Sequence, residues 1–240
     1  MMKYFNPLAA SLRNWQRVKK ASLAIPVLMV ALISLNSILF LPVKAADNSA
    51  QSTATDLVAA LQKGGFNLYF RHEATDWFQV DTINNTGDWL SCDPSHMRQL
   101  SDAGRKAATA TGDAIRSLGI PIARVYASPY CRTVQTAKLM QVGEVEPTTD
   151  VMNLRVSEYF HGTLSIVATA RSLFSTPPAP GTNTVIVSHG NLARKVIEQS
   201  PAEGDVLILR PDGKGGFNFI GRLTASDWLR MSSANPGKVK

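Results

Sequence analysis

Acidic residues are missing from the first 46 positions of this 240-residue chain, which carry Lys3, Arg13, Arg17, Lys19, Lys20 and Lys44. Charge of either sign is missing from Ala21 to Val43, "ASLAIPVLMVALISLNSILFLPV". Twenty-three such residues exceed what a buried core helix usually tolerates and match the roughly 17–25 that a membrane span requires. Repeats and low-complexity tracts are absent too, which excludes a solenoid, a propeller or a disordered scaffold. Cysteine is scarce: Cys92 and Cys131 are the whole supply, and neither has the spacing of a metal site. His96 and His161 likewise have no partner at metal-ligand spacing, and their pattern predicts surface or loop histidines.

The leader predicts a cytoplasmic N-terminus and an exported body, because the basic residues precede the apolar run. Val43 and Ala45 have the small-residue spacing of a signal-peptidase site, so residues 1–46 form either a cleaved signal peptide or an uncleaved membrane anchor. The leader also accounts for most of the formal charge of +7. Of the 25 basic residues, 19 lie in residues 47–240, against 18 acidic ones. A body so nearly neutral gives no support to a nucleic-acid partner, and the membrane is expected only at the N-terminal segment. In an oxidising compartment Cys92 and Cys131 are candidates for a disulfide across a long loop, with two separate buried thiols as the alternative.

The remaining composition, 45% hydrophobic, suits one sizeable core. Residues 47–55 are small and polar and are expected to be a linker, followed by a domain over 56–233. "DLVAALQKGG" predicts a helix stopped by Gly64-Gly65, and "FNLYF" a strand. "LSDAGRKAATATGDAIRSLGI" predicts a helix capped by Ser101. Strand and helix then alternate through "ARVYAS", "CRTVQTAKLM", "SIVATARSLF", "NTVIVS" and "NLARKVIEQ". "DVLILRPDGKGGFNFIGRL" closes the chain as a hairpin turning at Asp212-Gly213. That order predicts a three-layer α/β/α sandwich with a largely parallel sheet and a C-terminal β-hairpin.

In such sheets ligands bind beyond the carboxyl ends of the strands. There "NLYF" runs into Arg71-His72, "VYAS" into Pro129 and then Arg132, and "TVIVS" into His189-Gly190. Two arginines and two histidines gathered at one rim make an anion pocket. Guanidinium groups bind phosphate oxygens in forked pairs, and a neutral imidazole can attack phosphorus.

Four segments in this order resemble the histidine phosphatase (phosphoglycerate mutase-like) superfamily. They are "RHEATDW", "LSDAGRKAATATGDAI", "YASPYCRTVQTA" and "VIVSHGN", and the likeness spans roughly residues 66–200. The resemblance implies a phosphoric monoester hydrolase that needs no metal or other cofactor. His72 would be the phosphorylated nucleophile, with Arg71, Arg132 and His189 binding the phosphoryl group. It also implies a carboxylic proton donor, for which Glu158 in "SEYFHG" is the candidate. Glu73 stands where the family has glycine and Ala74 where it has glutamate, so Glu73 and Asp76 are rival acids. Trp77, Trp89 and Tyr130 are candidates either for the substrate mouth or for the core. The expected substrate is a small-molecule or envelope phosphate monoester outside the cytoplasm. Two other readings remain: a module that binds phospho-ligands without turnover, and a membrane-tethered adaptor. A phosphoglycerate mutase fits less well, since its substrate is cytoplasmic.

Overall fold

A computed structural model describes residues 53–234; the expected leader and most of the expected linker lie outside them. Thr53 opens the first helix, α1 (Ala54–Leu61), by a reciprocal cap. Its hydroxyl accepts from the Asp56 amide while the Asp56 carboxylate accepts from the Thr53 amide. The cap starts the helix two residues ahead of the expected domain boundary, so Ala54 and Thr55 are helical rather than linker.

Strands β1 (Asn67–Arg71), β2 (Ile122–Ala127), β3 (Val145–Pro147) and β4 (Asn183–Ser188) run parallel. They are joined by α2 (Asp102–Ser117), α3 (Cys131–Met140) and α4 (Thr163–Ser175). After α5 (Gly190–Val196) the chain returns antiparallel as β5 (Val206–Pro211) and β6 (Phe217–Leu223) and ends in α6 (Ala225–Ser233). The sheet order is β3-β2-β4-β1-β5-β6. Side chains alternate across it, as strand geometry requires. Leu68, Phe70, Val185 and Val187 pack with α1, α2, α3 and α6, while Tyr69, Ile186 and Leu207 pack with α4 and α5. The expected three layers are therefore present, each face of the sheet with its own core.

The expected hairpin forms, with a wider connection than a two-residue turn. Asp212 accepts from the amides of Lys214 and Gly216, and Gly213 and Gly215 take positive φ. Two elements had no clear sequence signal. Strand β3 is three residues long on the sheet edge, and α6 follows β6 after a second reciprocal cap by Thr224 and Asp227.

Because β1, β2 and β4 are adjacent and parallel, their carboxyl ends share one rim. Two bonds extend the ladder past the strand ends: His72 N–H donates to Ser188 C=O at 2.9 Å, and Ser128 N–H to Val187 C=O at 2.9 Å. The start of α2 locks the chain that follows His72. Ser101 bonds Ala74 C=O through both its amide (3.0 Å) and its hydroxyl (3.1 Å). A Cβ on Gly104 would lie 2.1 Å from that same carbonyl oxygen, so only glycine allows this approach.

Candidate active site

The rim holds a cavity of about 460 Å³ to which Arg71, His72, Arg132 and His189 all contribute. The four come from the ends of β1 and β4 and the first turn of α3. His72 and His189 are buried, with ring centroids 5.7 Å apart.

His72 Nδ1 lies 2.9 Å from Glu73 C=O. A carbonyl only accepts, so Nδ1 carries the proton and a neutral ring leaves Nε2 with its lone pair free. Burial, and then the positive charges of Arg132, Arg71 and Arg98, hold the pKa of His72 well below the usual histidine value. His189 is shifted the same way, by burial and then by Arg132, His72 and Arg71. Its Nε2 is 2.9 Å from Ser128 Oγ, its backbone C=O accepts from Tyr69 Oη at 2.7 Å, and the Tyr130 ring packs edge-on at 4.6 Å.

Arg132 is 1% exposed and forks onto a carboxylate absent from the expected set, Asp81. Its Nη1 and Nη2 each donate to one Asp81 oxygen at 3.0 Å. Arg71 donates through Nη1 to Pro201 C=O at 3.1 Å, and its Nη2 lies 3.5 Å from Glu203. Those partners fix the outer ends of both guanidinium groups and leave the Nε edges open. Among the described residues, Arg71 Nε, Arg132 Nε, Arg98 Nε and His189 Nδ1 are buried without a hydrogen-bond partner. Buried polar groups are rarely left so, and three guanidinium N–H donors with an imidazole nitrogen around one cavity suit an anionic ligand.

A disulfide joins Cys92 to Cys131, with Cα atoms 5.3 Å apart. It ties the loop between β1 and α2 to the residue beside Arg132. Thr136 in the same helix accepts from the Glu73 amide at 3.2 Å and donates to Arg132 C=O at 2.8 Å.

The carboxylates are placed differently from expectation. Glu158 is exposed and does not line the cavity. It lies three residues past Arg155 in a 3-10 stretch (Leu154–Phe160) kinked at Val156, and its shorter side chain stays in solvent. From this segment Asn153 and Arg155 reach the cavity instead. Glu73 is buried but faces away, toward Gly204 and Thr111. Burial, aided by the neighbouring Glu203 and Asp205 charges, pushes its pKa up to about 7. Asp76 accepts from the Phe78 amide and Gln79 Nε2, outside the cavity. Trp89 and Tyr130 are core residues, whereas Trp77 is 66% exposed beneath the Arg98 guanidinium at 4.1 Å. His96 and His161 are exposed.

The model of the histidine phosphatase superfamily (branch 1) matches residues 68–161, the span that supplies Arg71, His72 and Arg132. Over those residues the chain is similar to that superfamily. His189, beyond the matched span, completes the cavity from β4. Among curated proteins none matches the chain. Several phosphatases of solved structure are similar at low identity. The protein histidine phosphatase SixA complexed with tungstate is 14% identical over 68% of this chain and 98% of its own, with a TM-score of 0.44. The mycobacterial glucosyl-3-phosphoglycerate phosphatase with inorganic phosphate is 15% identical over 68% and 99%, with a TM-score of 0.47. A phosphoserine phosphatase mutant from Entamoeba histolytica in complex with phosphoserine is 14% identical over 68% and 98%, with a TM-score of 0.44.

Arg98, Asn153, Arg155, Asn191 and Arg194 also line the cavity and were not singled out from sequence. Two had a usable signal. Asn191 and Arg194 follow His189-Gly190 at helical spacing, which puts both on one face of α5. Asp81 had none, since its contact with Arg132 closes 51 residues of intervening chain.

Proposed function

We propose that the chain is a member of the histidine phosphatase superfamily and a metal-independent phosphatase that works through a phosphohistidine on His72. The observation that carries the reading is the buried His72 ring, whose Nδ1 proton is committed to Glu73 C=O. In the first step Nε2 attacks phosphorus, the N–P bond forms, and the P–O bond to the leaving group breaks. In the second, water attacks the same phosphorus, the N–P bond breaks, and inorganic phosphate departs. The open Nε edges of Arg71 and Arg132 donate to the phosphoryl oxygens in both steps. With Ser128 Oγ donating to its Nε2, His189 presents Nδ1–H to the same group.

The uncharged run of residues 21–43 supports an exported protein, tethered or released at its N-terminus, acting on phosphate esters outside the cytoplasm. The full-length chain is expected to release phosphate from an aryl phosphate in the presence of a chelator. His72→Ala should lower that turnover by a factor of at least about 10³. Tight binding of the ester with no turnover would favour a phospho-ligand sensor instead. Turnover indifferent to His72 would sink the phosphohistidine route.

A further inference from the structure

We infer that the preferred substrate is a diphosphate, whose terminal phosphoryl group passes to His72 and whose inner phosphate is the leaving group. The inference deepens the phosphohistidine reading and rests on it.

Two independent features of the cavity point this way. The first is an excess of cations. Arg71 and Arg132, with His72 and His189, already surround a single phosphoryl group. Three further arginines line the same cavity: Arg98 from the β1–α2 loop, Arg155 from the 3-10 stretch and Arg194 from α5. Among the described residues, no carboxylate lies within ion-pair distance of any of these three guanidinium groups. Arg98 also leaves its buried Nε without a partner. Arg155 and Arg194 are exposed where they line the cavity and Arg98 is half-buried. Like charges gathered around one cavity repel, and a binding site holds them together where the ligand supplies compensating charge. One phosphate dianion satisfies two arginines. Five fit a ligand with a second phosphate directly beyond the first.

The second feature is the missing acid. Among the described residues, no aspartate or glutamate lines the cavity. The nearest carboxylates are engaged as acceptors elsewhere. Asp81 is forked onto Arg132, and Glu203 takes the Thr75 hydroxyl at 2.8 Å and faces Arg71. An alkoxide leaving from a simple sugar or alkyl phosphate needs a proton from a positioned acid as the bond breaks. A leaving phosphate does not, because its negative charge is stable in water and is spread over several oxygens. Cations aimed at it then do the work that an acid does for an alkoxide. Five arginines with no acid form an arrangement suited to breaking a P–O–P linkage.

The atoms balance with water as the only co-reactant. His72 Nε2 bonds to the terminal phosphorus, and the bridging P–O bond breaks with its electron pair on the inner phosphate. Water then supplies the oxygen that cleaves N–P, giving inorganic phosphate and a monophosphate ester, and its spare proton goes to solvent.

The test compares four probes on the full-length chain: phenyl phosphate, butyl phosphate, butyl diphosphate and butane-1,4-diyl bisphosphate. Butyl diphosphate should exceed butyl phosphate at least 100-fold in kcat/KM. Arg155→Ala and Arg194→Ala should each lower turnover of the diphosphate at least tenfold more than that of phenyl phosphate. Equal rates on butyl phosphate and butyl diphosphate would overturn the inference. So would a bisphosphate cleaved as fast as the diphosphate, since its second phosphate is remote and its leaving group an alkoxide. If none of the four probes is hydrolysed, the phosphohistidine reading itself fails. His72-dependent hydrolysis of phenyl phosphate without a diphosphate preference rejects only the substrate class.

Discussion

Arg132 shows how much of a buried arginine's usefulness lies in what holds it. A guanidinium offers five donors, and only those left unengaged can meet a phosphoryl group. By taking both terminal nitrogens in a bidentate fork, Asp81 aligns the plane of Arg132 and leaves Nε without a partner. Both partners of the pair are buried, so removing one charge strands the other, at a cost of about 3–5 kcal/mol. Asp81→Asn is therefore expected to lower the melting temperature. If the fork positions Arg132 for phosphate, the variant should also raise KM for an aryl phosphate by about 10-fold or more at temperatures where it stays folded. A lowered melting temperature with KM unchanged would assign Asp81 to stability alone. This residue could not be read from the sequence, because aspartates are common and nothing local marks one that pairs 51 residues away. Glu158 is the reverse case. Its place in a recognisable segment suggested an acid, and the kinked 3-10 backbone leaves it in solvent while Arg155 enters the cavity.

Among the elements, those with strong periodicity were legible. The fully buried β4, apolar from Val185 to Val187, and the small-residue face of α2 have patterns that few other structures satisfy. Strand β3 was not legible, because a three-residue edge strand has too few side chains to show alternation. The Leu-Ser-x-x-Gly segment was recognised by resemblance, and the structure gives it a physical cause. Ser101 caps α2 through the Gly104 amide while its own hydroxyl reaches Ala74, so one serine fixes both the helix start and the chain leaving His72. Gly104→Ala would drive a methyl to within 2.1 Å of Ala74 C=O, and helix and loop must separate. Overpacking of this kind costs about 1–3 kcal/mol. The movement falls two residues from His72, so kcat should fall together with the melting temperature if His72 is the nucleophile proposed above. A folded variant with wild-type kcat would show that the α2 clamp does not set the position of His72. The disulfide acts at the same scale. It anchors the loop carrying Trp77, Asp81 and Arg98 at the foot of α3, beside the Asp81–Arg132 pair and the bond from Arg132 to Arg98 C=O.

For the whole molecule, composition hid what folding assembles. The body is nearly neutral by sequence, with 19 basic and 18 acidic residues in 47–240, yet the cavity at the strand ends has five arginines and no carboxylate among the described residues. The acids displaced from the cavity lie behind it, and burial of Glu73 among them makes global stability depend on pH. Glu73 has an ordinary pKa of 4.5 that the folded protein raises to about 7. Between those values the unfolded chain gives up the proton and the folded one keeps it until it titrates. The contribution of Glu73 is therefore full below pH 4.5, is lost as pH rises to 7, and stays lost above that. Its size is on the order of 3 kcal/mol. His72 and His189 act with the opposite sign. Their folded pKa values lie well below 6.5, so their contribution is full above 6.5 and is lost as pH falls. The two effects confine maximal stability to mildly acidic and neutral pH. Glu73→Gln removes the first effect and leaves the second. Denaturant unfolding at pH 8 should find the variant more stable than the parent, with the difference shrinking toward zero near pH 4. A difference independent of pH would mean that Glu73 is not the group that titrates. The amide would then act only through the space and hydrogen bonds it shares with Thr111 and Gly204.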